Sequence, residues 1–269
     1  MLLAGHNPYY IAYVGYDIAR YINFVISTLE CDLGIEVEIT GKTGWYINDP
    51  SLFKSIPEII EKIEKDDGTE TEYLKRELNS ILRCFQLVHE LYVLAKIIME
   101  LIYKGARILD KRIGITPNYM PSNRFMEYGN RISFEYLNSK ITILYQPIIG
   151  PELRRPDFVI VNDYIKTYSD FVNKCIGQQS IPPVKDRAIV LDPKVSFSKG
   201  DFHRLLKYVK LFPKGTKFLV LALDEETIPT KYKQKLNNIG WIIIENVKPD
   251  GANFEYRIIN SVNEVFELT

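Results

Sequence analysis

The sequence predicts an α/β fold, with a central mixed β-sheet flanked by helices and a mostly helical region ahead of it. Three observations carry that expectation. Phe218-Leu219-Val220-Leu221-Ala222-Leu223 is wholly apolar, as a strand covered on both faces must be, and Ala188-Ile189-Val190-Leu191 repeats the pattern. Arg131 to Leu137 and Lys140 to Tyr145 alternate with period two around Asn138-Ser139, which reads as a hairpin. From Tyr73 to Tyr103 a long helical pattern carries Leu82, Phe85, Val88, Leu91, Leu94, Ile98 and Leu101, too many apolar positions for a helix buried on one side only.

In chain order, Pro8 to Glu30 reads as a helix, because Ile11, Val14, Ile18, Ile22, Val25 and Leu29 recur at three- and four-residue steps. Ile35 to Ile39 alternates as a short strand, with Thr43-Gly44-Trp45-Tyr46-Ile47 expected to return beside it. Pro57 to Lys65 is a charged amphipathic helix, and Asp66 to Thr71 is loop or hinge chemistry. This divides the chain into an N-terminal region, residues 1–70, and a larger domain, residues 71–269. Gly105 is a natural stop for the long helix, and Gly114 to Pro121 reads as loop. After the hairpin come strands at Pro156–Val161 and Arg187–Val195, then a helix with Asp201 near its N-cap and Leu205, Leu206, Val209 and Leu211 as its apolar face. Lys217–Leu223 is a buried strand, Pro229–Asn238 a short helix ending at Gly240, and Trp241–Glu245 another buried strand.

Composition narrows the function. Lys plus Arg equals Asp plus Glu, 34 each in 269 residues, which argues against a protein that coats nucleic acid all over but leaves room for a local basic groove. One such concentration exists: residues 185–217 hold nine basic side chains against three acidic ones. Cys31, Cys84 and Cys175 are too widely spaced for a zinc knuckle and too few to pair off, so free thiols in a reducing compartment are expected. No stretch approaches the roughly 20 apolar residues of a membrane span, and the N-terminus lacks a basic segment followed by an apolar one. A cytoplasmic protein without a membrane partner is therefore expected.

The chemistry sits at two strand ends. Arg154-Arg155-Pro156-Asp157 opens one apolar strand, and Asp192-Pro193-Lys194 closes another. Side chains two apart on a strand share a face, so Asp192 and Lys194 point the same way. If the strands pair, two carboxylates and an ammonium converge. Carboxylates, together with the carbonyl of Pro193, suit a hard divalent ion such as Mg²⁺, with Mn²⁺ able to substitute. Lys194 would then orient a water or stabilise a charged phosphorane.

Pro156-Asp157 followed by Asp192-x-Lys194 resembles the signature of the PD-(D/E)xK nuclease superfamily, whose members share the restriction-endonuclease-like fold. Two further segments are similar to motifs of its McrC-like branch: His89-Glu90-Leu91-Tyr92 on the long helix, and Asp201-Phe202-His203-Arg204 with Tyr208 after the lysine strand. The resemblance spans about residues 80–245; Val195 departs from it, since an aromatic residue is common there in that branch. It implies Glu90 as a third acid and metal ligand beside Asp157 and Asp192, with Glu100 the alternative on the same helix. It also implies Lys194 as a catalytic side chain, and His203 and Tyr208 as groups that contact the phosphate or brace the site. Arg154, Arg155, Lys199, Arg204 and Lys207 are the basic residues expected along the nucleic acid.

The expected activity is metal-dependent phosphodiester hydrolysis, on DNA rather than RNA, in a prokaryotic defence or DNA-processing system. The resemblance further implies a separate nucleotide-driven motor subunit, and a homodimer is left open. The alternative is a catalytically silent nucleic-acid- or protein-binding module on the same fold. A nucleotide-binding enzyme is disfavoured, because no Gly-rich phosphate loop follows a strand.

Overall fold

Asn7 caps the first helix, α1 (Pro8–Cys31): its side chain accepts a 2.9 Å bond from the Tyr9 N–H, and Pro8 stands where its missing N–H is harmless. The computed structural model describes residues 7–65, 71–115, 130–147, 155–166, 170, 187–251 and 253–268. Arg154, Cys175, Lys185, most of the Asp66–Thr71 hinge and residues 116–121 of the expected loop lie outside them. All six apolar positions read from the sequence of α1 are buried.

The chain continues through β1 (Glu36–Ile39), α2 (Lys42–Asn48), a 3₁₀ turn (Pro50–Lys54), α3 (Ser55–Lys65) and the 33-residue α4 (Thr71–Tyr103). Six strands then follow: β2 (Arg107–Ile108), β3 (Arg112–Ile115), β4 (Arg131–Tyr136), β5 (Ser139–Tyr145), β6 (Phe158–Val161) and β7 (Ala188–Lys194). The order ends α5 (Lys199–Val209), β8 (Lys217–Ala222), α6 (Thr230–Asn238), β9 (Trp241–Ile244) and α7 (Phe254–Phe266).

Seven strands form a mixed sheet in the order β2-β4-β5-β6-β7-β8-β9, antiparallel as far as β7 and parallel from β7 to β9. Helices cover both faces. Phe134, Ile143, Phe158, Ile160, Leu191 and Leu221 share one core with α1, α3, α4 and α7. Val159, Val161, Val190 and Val220 pack on the other face against Leu205 and Tyr208 of α5 and Leu236 of α6. The helices before residue 70 therefore share their apolar core with the sheet. No described helix is long and apolar enough to cross a membrane.

The structure corrects several local expectations. Thr43–Ile47 is helical, not a return strand: Thr43, Gly44 and Ile47 form one buried helix face, and β1 pairs in parallel with β3 instead. Gly44 permits this, since a Cβ there would stand 2.5 Å from the Ile39 carbonyl oxygen. Gly114 and Ile115, expected in a loop, belong to β3. The cap of α5 is Ser198, with Asp201 three residues on completing a capping box. β9 is a half-covered edge strand whose Ile242 is exposed. The α7 helix was not foreseen at all.

Gly15 shows how tightly the N-terminal helices sit. A Cβ there would lie 2.8 Å from the ring of the fully buried Phe53. Helix propensity favours Gly15→Ala by up to about 1 kcal/mol, while overpacking costs about 1–3 kcal/mol. Because Phe53 has nowhere to retreat, a net loss is expected in denaturant unfolding; a more stable variant would show that the contact is slack.

Candidate metal and phosphate site

β6 and β7 run antiparallel with Phe158 opposite Leu191. One further step of that register sets Asp157 opposite Asp192, and the Gln146 N–H binds the Asp157 carbonyl at 2.8 Å. Directly opposed residues share a face, so both carboxylates meet on the side covered by α5. Pro193 stands beyond the last β6 pairing, where a strand tolerates a residue without an N–H.

Lys194 ties the two acids together. Its Nζ lies 3.3 Å from Asp157 Oδ2, forms an ion pair with Asp192 and donates to the Pro193 carbonyl at 3.0 Å. All three side chains are buried, and the counter-charges of the fully buried Asp192 are the Lys194 ammonium and, farther off, the Arg204 guanidinium. Burial presses the Lys194 ammonium below its ordinary pKa, and the charge of Asp157 opposes the shift.

Glu90 enters from α4. Its carboxylate accepts from Gln86 Nε2 (3.0 Å), Tyr145 Oη (2.9 Å) and Gln146 Nε2 (3.2 Å). Gln86 also donates to the Pro193 carbonyl (3.1 Å) and accepts from the Val195 N–H (3.3 Å), which fixes α4 to the end of β7. Burial, and next the charge of Asp157, push the Glu90 carboxyl up to about 8, while the Gln86 and Tyr145 donors pull it down. The rival acid Glu100 pairs loosely with Lys104, 3.9 Å away on the next turn.

Gln86, Glu90, Gln146, Asp157 and Lys194 line a pocket of about 250 Å³ together with Arg83, Leu87, Ser196, Asp201 and Arg204, while Asp192 is buried behind Lys194. Arg204 reaches Asp201 at 3.1 Å and Asp192 at 3.7 Å. Tyr208 is buried and donates to the Arg155 carbonyl (2.7 Å), so it braces the segment that carries Asp157. Arg155 donates to Gln146 Oε1 at 3.2 Å. His203 is exposed and has the Phe202 ring as its neighbour, while Lys199 and Lys207 are also exposed. Of the basic run, Arg187 and Lys217 pair with Glu267 and Glu264 beside α7.

Sequence reasoning missed Gln86, Tyr145, Gln146 and Arg83. A signal existed for Gln86, which stands one helical turn before Glu90. None existed for Gln146, whose place depends on the β5–β6 register. Among the described residues, no group of three His, Cys, Asp or Glu side chains stands ready to hold a metal by itself, and the ammonium of Lys194 pairs with both aspartates. The donor set still fits a hard cation: Asp157, Asp192 and the Pro193 carbonyl are all oxygen donors, and all three meet at the Lys194 ammonium.

His89, next to Glu90, faces the other way. Its Nε2 donates to the Val247 carbonyl (2.9 Å), and its Nδ1 is buried without a partner. Burial lowers its pKa from 6.5 to about 4, so the native state holds it neutral. That contribution is complete above pH 6.5 and disappears as pH falls toward 4, a span worth about 3 kcal/mol. His89→Gln keeps a donor but does not titrate here. Urea unfolding from pH 7 to pH 4 should therefore show a steeper loss for the wild type than for the variant; parallel curves would refute the assignment.

Comparison with protein-family models, curated proteins and solved structures finds no match to this chain.

Proposed function

We propose that this chain is a divalent-cation-dependent nuclease with a restriction-endonuclease-like core, cutting DNA from the pocket between α4, the ends of β6 and β7, and α5. One observation carries the reading: Asp157 and Asp192 meet across two paired strands as buried carboxylates that share the Lys194 ammonium between them. Two buried carboxylates that share one ammonium leave a negative charge that a divalent cation can complete.

Asp157, Asp192 and the Pro193 carbonyl would hold Mg²⁺ or Mn²⁺, with Glu90 directly or through water. Bound there, the ion would supply an activated water and neutralise charge on the phosphorane. The residues of the chain do the rest. Arg204 and Lys194 bring positive charge to the scissile phosphate, and Gln86 and Gln146 keep Glu90 and Asp157 in place. Tyr208 holds the Arg155-Pro156-Asp157 segment. The local basic charge favours a nucleic acid as substrate, and the resemblance favours DNA; a separate nucleotide-driven motor rests on the resemblance alone.

The silent binding module is the second reading, favoured by the Lys194 ammonium already neutralising both aspartates. Supercoiled plasmid, single-stranded DNA and RNA incubated with Mn²⁺, Mg²⁺ or EDTA separate the two. Nicking with either metal and none in EDTA is expected; binding of these nucleic acids without cleavage in any metal would leave the module.

A further inference from the structure

We infer that α2 and the adjoining turn of α4 form a second contact for nucleic acid, in which Trp45 stacks on an unpaired base and Lys42 and Arg83 hold its phosphates. This rests on the proposed nuclease reading and gives residues before position 70 a role in it. A second pocket, of about 270 Å³, is lined by Thr40, Gly41, Lys42, Ser80, Arg83 and Leu87. Arg83 and Leu87 also line the pocket of Asp157 and Lys194, so the two cavities adjoin along α4.

The chemistry at this place suits a single strand. Lys42 and Arg83 are exposed, and neither enters an ion pair among the described residues; Lys42 Nζ reaches only Ser80 Oγ, at 3.5 Å. Trp45 lies three residues after Lys42, on the same outward side of α2, and is 64% exposed. The helix is not loose. Thr43, Gly44 and Ile47 face inward, and Asn23 Nδ2 donates to the Ile47 carbonyl at 2.5 Å. An exposed indole on the helix that carries Lys42, with Arg83 across the adjoining pocket, is the pairing of stacking platform and charge that single-stranded nucleic acid selects. A duplex hides its base faces and would use only the charges.

The chain contains two tryptophans, and Trp241 is 1% exposed, so quenching of emission reports on Trp45. The full chain is titrated in EDTA with a 15-nucleotide mixed-sequence DNA strand, its duplex, and heparin. Single-stranded DNA should quench strongly, and duplex and heparin weakly. Trp45→Ala should abolish the quench and weaken binding, read by anisotropy, about tenfold or more. Lys42→Glu should weaken binding and flatten its salt dependence. Unchanged affinity in Trp45→Ala, or equal quenching by heparin, overturns the proposal. Because EDTA prevents cleavage, a chain that binds through Trp45 yet never cuts sinks the nuclease reading alone. A chain that cuts with Mn²⁺ while Trp45→Ala binds normally sinks this one alone.

Discussion

Lys194→Ala should melt far below the wild type in EDTA and recover when Mn²⁺ or Mg²⁺ is added. The ammonium is the close counter-charge of two buried aspartates. Removing one partner of such a group costs about 3–5 kcal/mol, which in a chain of this size is a melting shift of roughly 10 °C. A divalent ion would replace the missing charge, and at a hundredfold excess over its dissociation constant would return about 2.7 kcal/mol. The wild type should gain less, since its own ammonium competes for the same oxygens. Thermal melts of both proteins across a Mn²⁺ series decide the matter. Equal stability in EDTA would discard the ion-pair account, and no cation effect on either protein would discard the metal account.

The sheet and the acid pair were legible in the sequence for one reason: both are local consequences of strand periodicity. Val190-Leu191-Asp192-Pro193-Lys194 states its faces by alternation, and the apolar runs state which strands are central. Glu90 was legible only through resemblance, because on an apolar helix face a carboxylate gives no periodic sign of its purpose. Tertiary pairing hid the rest. Thr43–Ile47 mimics a strand in composition, and only the partnership of β1 with β3, more than 70 positions on, frees it to become α2. Gln146 reaches Glu90 because β5 ends against β6 at Tyr145, a register that no short window of sequence encodes. His203 was drawn toward the site by its motif position alone; the rotation of α5 turns Leu205 and Tyr208 inward and leaves His203 exposed.

Asp192→Asn tests the chemistry with the least change of shape. The amide fills the same space, and Lys194 keeps Asp157 at 3.3 Å, so the metal-free melting temperature should move much less than in Lys194→Ala. The functional effect should be much larger. Losing Asp192 removes an anionic ligand whose cation is worth several kcal/mol to a phosphoryl reaction. Cleavage should fall by about 10³-fold or more, since each 1.4 kcal/mol is a factor of ten, and Mn²⁺ should no longer raise the melting temperature. His203→Ala, exposed and not among the residues that line the pocket, serves as the matched control and should cut at close to the wild-type rate. The two site variants differ in sign where it matters: without Lys194 the cation binds better and cleavage still fails, whereas without Asp192 the cation is lost along with it. Cleavage surviving in Asp192→Asn with its Mn²⁺ dependence intact would move the metal away from β7, and the pocket between α4 and α5 would then have to be read as a phosphate cradle alone.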